Sequence, residues 1–360
     1  MFEFPTLTGA HEVGSRLYHW IDNTNQRELL VQVWYPSQIN EIKCTPYAPD
    51  LTNAWKAGLK QSGFPESDIH QIDEIFVHAI PNASLLNDDM CYPVIFFFHG
   101  YVAFRTAYTA YCEELASHGY VVITIGHTYY ATLTVFPDQR VIHALPEHHQ
   151  QVKLFEETTS EREQAIWLQD AKFVLEKFRE ENEFSGSIFY NRLDLNSIGA
   201  VGHSFGGSTA LQLCRHEARC KAAVNLDGAL FGKNATDDIA KPIMIIVGQL
   251  SWNEFNKFSD NEIASHTGFP KKLIPVLRQK YKKDIPTFLN NQSSQAEFIV
   301  LDGALHAAFS GWVLLKNLPL YQSNKKIFNL ESLTGSIDGF KIVSKINTLL
   351  VKFFNKLLKR

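Results

Sequence analysis

The chain lacks an excess of positive charge, a long apolar run, paired cysteines and any low-complexity tract, and each absence removes a class of function. Lys and Arg number 34 against 38 Asp and Glu, a formal net charge of −4. That balance gives no basic footprint for phosphates, so nucleic acid is excluded as a partner. No run approaches the roughly 20 consecutive apolar residues of a bilayer-spanning helix. The opening Met1-Phe2-Glu3-Phe4-Pro5-Thr6 has neither a basic start nor an apolar core before a cleavage site. A cytoplasmic location is the expectation, with signal-independent export left open. Five cysteines, Cys44, Cys91, Cys112, Cys214 and Cys220, form no C-x-x-C pair, which predicts reduced thiols packed as small hydrophobes. His143, Glu147, His148 and His149 gather without H-E-x-x-H spacing, which reads as a solvated loop, and neither a metal nor an organic cofactor is expected.

What is present is an ordinary globular composition, 45% hydrophobic and 20% charged over 360 residues, ample for a large buried core. Glu28 to Tyr35 alternates apolar and polar, the mark of an antiparallel strand with one solvated face. Pro93 to Phe98, Tyr120 to Gly126, Ile198 to Gly202, Lys221 to Leu226, Pro242 to Gly248 and Ala296 to Leu301 are short apolar runs that stop at glycine or polar residues. Strands buried on both faces look like this. Helical spacing over Thr106 to Ser117, over the stretch opened by the capping-box pattern Ser160-Glu161-Arg162-Glu163, and after Ser204 separates them. This alternation predicts a single α/β domain over 1–360, with a mainly parallel sheet and helices on both faces. Less regular excursions fall at about 44–89, 127–157 and 251–295, the last polar and lid-like. Residues 339–358 predict an amphipathic helix, with Ile342, Ile346, Leu350, Phe353 and Phe354 on one stripe and lysines opposite. It is read as packing on the sheet, with peripheral membrane contact the alternative.

The chemistry centres on Gly202-His203-Ser204-Phe205-Gly206-Gly207. A strand before and a helix after this Gly-x-Ser-x-Gly predict a nucleophile elbow, a strained turn that aims the Ser204 hydroxyl outward. Serine needs a base, and the base an anionic partner to fix its tautomer. On an α/β-hydrolase fold these follow the serine as acid, then histidine. Asp227 ends the next strand and is the candidate acid, with Asp238 and Asp302 competing. His306 follows the last strand and is the candidate base. His203 leaves the turn in another direction from Ser204, His216 ends the elbow helix, and His266 has no strand before it. The N–H groups of Tyr101 and Phe205 are the candidate oxyanion donors.

Phe98-His99-Gly100-Tyr101, Leu115-Ala116-Ser117-His118-Gly119-Tyr120, the elbow, Leu226-Asp227-Gly228 and Gln32-Val33-Trp34-Tyr35-Pro36 together resemble the platelet-activating factor acetylhydrolases of the plasma and intracellular type II kind. The likeness runs from about residue 5 to 310. It implies an α/β-hydrolase fold, Ser204, Asp227 and His306 as the triad, and Tyr101 and Phe205 as the oxyanion donors. It further implies calcium-independent hydrolysis of short or oxidised sn-2 acyl esters of phospholipids. Two departures stand out. Residues 251–295 are longer than the family pattern, and Ala307-Ala308-Phe309 after His306 lacks an acidic residue. A general carboxylesterase, lipase or cutinase-like activity on small or polymeric esters stays open, as does a catalytically silent binding scaffold. The sequence specifies no oligomeric state.

Overall fold

The structure, a computed structural model, describes residues 1–38, 45–149, 151–252, 257–267 and 270–359. Eight strands form the body of the main sheet: β1 (Glu12–Asp22), β2 (Arg27–Gln38), β3 (Tyr92–Phe98), β4 (Val121–Gly126), β5 (Leu193–His203), β6 (Cys220–Leu226), β7 (Ile243–Gly248) and β8 (Ala296–Leu301). They lie in the order β1-β2-β4-β3-β5-β6-β7-β8. Strands β3 to β8 run parallel to one another, while β2 pairs antiparallel with both β1 and β4. A parallel sheet needs crossover helices on its faces, and those helices bury both sides of each strand.

That is why the strands read as unbroken apolar runs. All seven residues of β3 are buried: Val94, Phe96 and Phe98 belong to one core layer and Ile95 and Phe97 to the other. One layer is closed by α2 (Thr109–Ser117) and α8 (Gly339–Leu358), which contribute Tyr111, Leu115, Ile342, Ile346, Leu350 and Phe354. The other is closed by α3 (Glu157–Glu183) and α4 (Phe205–His216), through Trp167, Val174, Phe178 and Leu213. The 44–89 excursion carries α1 (Thr52–Gln61), which buries Trp55 and Leu59.

Several local expectations change. Ser160 does not cap a helix: α3 begins a turn earlier, at Glu157, and the Ser160 hydroxyl donates back to the Glu157 carbonyl at 2.9 Å. The 127–157 segment contains a hairpin of Leu133–Val135 and Val141–His143. His148 is buried rather than solvated; its Nδ1 bonds the Tyr129 carbonyl at 2.8 Å and its ring stacks on Tyr130. Cys112, Cys214 and Cys220 are buried thiols, but Cys91 is exposed, and Cys44 lies outside the described residues. The polar 251–295 stretch carries α5 (Asp260–Thr267), α6 (Ile274–Gln279) and α7 (Ile285–Asn291). Their inner face puts Ile263, Ile274, Leu277, Ile285 and Phe288 into the second core layer.

The 339–358 helix packs its apolar stripe against the sheet. Gly199 of β5 lets it approach, since a Cβ there would stand 2.7 Å from the Phe354 ring. Among the described residues no helix is long and apolar enough to cross a membrane.

Candidate active site

Strand β5 ends at His203 and α4 begins at Phe205, which leaves Ser204 alone on the turn with φ 58° and ψ −124°. A non-glycine residue in that region stores on the order of 1–3 kcal/mol of strain. The surroundings hold it there: Ser204 N–H donates to the Leu226 carbonyl at 2.9 Å, and its own carbonyl accepts from Gly207 N–H at 3.0 Å. Glycine is required on either side. A Cβ at Gly202 would lie 2.2 Å from the Gly206 carbonyl oxygen, and one at Gly206 would lie 2.3 Å from that of His99.

Three side chains meet above this edge of the sheet. The Ser204 hydroxyl lies 2.9 Å from His306 Nε2, and His306 Nδ1 lies 2.7 Å from Asp227 Oδ2. Asp227 is fully buried on the turn after β6, also at positive φ, 50°. Its other carboxylate oxygen accepts the Gly248 N–H at 2.8 Å, and its backbone N–H donates to Ile246 at 2.7 Å. Asn225 clamps the same turn by bonding both the N–H and the carbonyl of Gly228. Tyr281, in the 251–295 stretch, donates its hydroxyl to the Asp227 carbonyl at 2.8 Å. The competing acids point elsewhere: Asp302 is exposed, and Asp238 is tied to Ala240 and Ser293.

His306 opens a short turn, His306–Phe309, off the end of β8. Its side chain is 38% exposed while that of Asp227 is at 0%, so the pair is dry at the carboxylate and open at the serine. A carboxylate in this position fixes Nδ1–H and leaves Nε2 free to take the hydroxyl proton. Phe205 is the first residue of α4, so its N–H has no partner within the helix, and the helix dipole adds to it. The Tyr101 ring packs on Phe205, Tyr130 and His148, with centroids 5.3, 5.9 and 5.5 Å away, which seats its backbone beside the elbow.

Sequence reasoning missed two polar clusters at this edge. Behind the Tyr101 loop, Arg27 holds Asp170 with two bonds of 2.9 and 2.8 Å, and His127 Nδ1 donates to the same carboxylate at 2.8 Å while stacking on Trp167. Burial would raise Asp170, but the hydrogen bonds from His127 and Arg27 outweigh it and hold it below the ordinary carboxylate range. A carboxylate three residues after Trp167, on the inward stripe of a long helix, was the visible signal. The second cluster involves His203. It lies behind the His306 turn and bonds that residue's carbonyl. His216 ends α4 away from this meeting point, and the side chain of His266 lies outside the described residues.

Residues 1–359 match the family model for platelet-activating factor acetylhydrolase, isoform II. The platelet-activating factor acetylhydrolase of Cavia porcellus is 24% identical, the match covering 93% of this chain and 73% of that protein. That of Bos taurus is also 24% identical, covering 98% and 77%. A probable 1-alkyl-2-acetylglycerophosphocholine esterase of Arthroderma benhamiae is 26% identical over 39% of this chain and 32% of its own. Among solved structures, a ferulic acid esterase from Streptomyces cinnamoneus matches with a TM-score of 0.72 at 20% identity, covering 99% of this chain and 93% of its own, a likeness of fold. Because the family model spans nearly every residue, this chain belongs to the platelet-activating factor acetylhydrolase, isoform II, family of carboxylic ester hydrolases.

Proposed function

We propose that the protein hydrolyses short or oxidised sn-2 acyl esters of phospholipids through a Ser204 acyl-enzyme. His306 Nε2 takes the Ser204 proton as Oγ attacks the ester carbonyl, and the Tyr101 and Phe205 N–H groups bind the oxygen as it becomes negative. His306 then passes the proton to the departing lysophospholipid alkoxide. Water repeats the cycle and releases the fatty acid. Asp227 keeps Nδ1 protonated and stabilises the imidazolium. One observation carries the reading: the continuous run from Asp227 through His306 to the Ser204 hydroxyl, with contacts of 2.7 and 2.9 Å. The relatives named acetylhydrolase and 1-alkyl-2-acetylglycerophosphocholine esterase support the short acyl chain.

Ser204→Ala should abolish p-nitrophenyl acetate turnover and fluorophosphonate labelling while the melting temperature stays near that of the parent. Undiminished turnover would remove Ser204 as the nucleophile. Initial rates on a short-acyl phospholipid and on a water-soluble butyrate ester test the substrate class, and a preference for the butyrate ester would replace phospholipid with a general carboxylesterase. Calcium has no part in the cycle as written, so rates in EDTA should equal those in added calcium.

A further inference from the structure

Behind the reacting atoms, two buried side chains join the loop of the first oxyanion donor to the loop of the base. Gly100 N–H donates to the Tyr108 hydroxyl at 2.9 Å, Tyr108 Oη lies 2.8 Å from His203 Nδ1, and His203 Nε2 lies 2.9 Å from the His306 carbonyl oxygen. Tyr108 is 1% exposed and His203 6%. Gly100 immediately precedes Tyr101, and the accepted carbonyl belongs to the base residue itself.

The protons in this chain have one consistent arrangement. A carbonyl only accepts, so His203 Nε2 carries a hydrogen. The buried ring is neutral, so with Nε2 protonated Nδ1 is bare and takes the Tyr108 hydrogen, while the Tyr108 oxygen accepts from Gly100. His203 is therefore the neutral Nε2–H tautomer. Burial pushes this imidazole well below its ordinary range, and the neighbouring His306 pushes it the same way. A proton on Nδ1 would turn that bond round and leave the Tyr108 hydrogen without its place in the chain. The imidazoles of His203 and His306 also pack with centroids 4.6 Å apart, so His203 supports the base both through its carbonyl and against its ring.

We propose that Tyr108 and His203 are positioning residues that act as one hydrogen-bonded strut, setting the distance between the oxyanion amide of Tyr101 and the His306 base. The proposal rests on the Ser204–His306 reading. Neither residue touches the substrate. The strut is distinct from the Asp227 contact, which sets the tautomer of His306, whereas this one sets where its backbone stands. A second tie between the two loops, Gly311 N–H to the Ala107 carbonyl at 2.6 Å, lies one residue from Tyr108 and leaves the strut as the link nearest the chemistry.

The test measures kcat, KM and fluorophosphonate labelling rate for Tyr108→Phe, His203→Leu, His203→Gln and the Tyr108→Phe/His203→Leu double variant, with the active fraction of each counted by titration. Phe keeps the shape of Tyr108 and removes only the hydroxyl. Misplacing catalytic groups by a fraction of an ångström to an ångström costs on the order of 10- to 100-fold. Tyr108→Phe and His203→Leu should each lose kcat by about that factor per active site, with KM changed less than about threefold. The double variant should be no slower than the slower single one, because one strut is broken only once. His203→Gln, which can still offer an N–H to the His306 carbonyl, should recover at least part of the loss of His203→Leu.

Full kcat per active site in Tyr108→Phe and His203→Leu, multiplicative losses in the double variant, or no difference between Gln and Leu at 203 would overturn the strut. A parent enzyme that no fluorophosphonate labels would instead overturn the Ser204 reading.

Discussion

The turn that exposes Ser204 is held by contacts that leave no room for a methyl group. A Cβ at Gly206 would meet two carbonyl oxygens of the β3 end, at 2.3 Å for His99 and 2.5 Å for Phe98. Backbone cannot yield as a flexible side chain can. Gly206→Ala should therefore cost stability at or above the upper end of the about 1–3 kcal/mol typical of overpacking, measured as a fall in the denaturant midpoint. An unchanged midpoint would show the elbow to be looser than its contacts require. Asp227→Asn keeps the size of the side chain but favours the wrong His306 tautomer, and should lower kcat by on the order of 10⁴-fold. A loss below about tenfold would transfer the acid role elsewhere. Ser204 was legible because a turn of this kind is written in consecutive residues. Asp227 and His306 were legible as strand-end residues in a known order. The strut was not, because the partners of His203 lie 95 and 103 positions away and no local pattern announces them.

At the scale of elements, α8 shows how an amphipathic pattern is resolved by its neighbours. Its stripe is used in packing: Ile342, Val343, Ile346, Leu350 and Phe354 are at most 2% exposed. Phe354→Ala should cost about 3–5 kcal/mol, as for other fully buried aromatics. Two of its lysines serve locally, Lys356 bonding Gln295 and Lys359 capping the Tyr120 ring. With that stripe buried against the sheet, Lys→Glu exchange at 352, 356 and 359 should leave liposome binding unchanged; binding that vanished with the charges would restore a membrane role for the helix. The 251–295 stretch was harder to read because few of its described residues are buried and α6 and α7 each have proline in the first turn. Ile274, Leu277, Tyr281, Ile285 and Phe288 do recur at helical spacing, but the lysines and prolines between them mask the stripe. Strand β1 escaped notice for a similar reason: from Arg16 to Trp20 its residues are half-buried or exposed, so the alternation is faint.

For the molecule as a whole, β3 to β8 were legible as apolar runs, since a doubly covered sheet leaves its strands no polar face, but their order in the sheet, with β4 between β2 and β3, was not. The same double cover traps titratable groups. Burial pushes His99 down to about 3, lowers His127, and lowers His203. Each stays neutral in the fold but gains a proton near pH 6.5 once unfolded. Their contribution is thus intact above about pH 6.5 and is lost as the pH falls below it, at up to about 1.4 kcal/mol per pH unit for each group. Glu113 acts in the opposite sense. Burial raises it to about 7, so the fold gains from its proton as the pH falls from 7 toward the ordinary carboxyl value. Three imidazoles against one carboxyl leave a net loss on acidification. Melting temperature should fall steadily from pH 6.5 to 4.5, and a flat or rising curve would mean that these histidines are hydrated in solution.

The hydroxyl and the imidazole that meet at 2.9 Å are 102 positions apart along the chain, and the imidazole is 79 from its carboxylate. Contacts of such range wait for large loops to close, and the Ser204 turn itself is held by the Leu226 carbonyl and the β3 end, so it is completed only after those strands have paired. A refolding sample should therefore recover its far-ultraviolet signal first and its capacity to turn over ester last. During that interval the molecule would hold a paired sheet with no imidazole yet beside its serine.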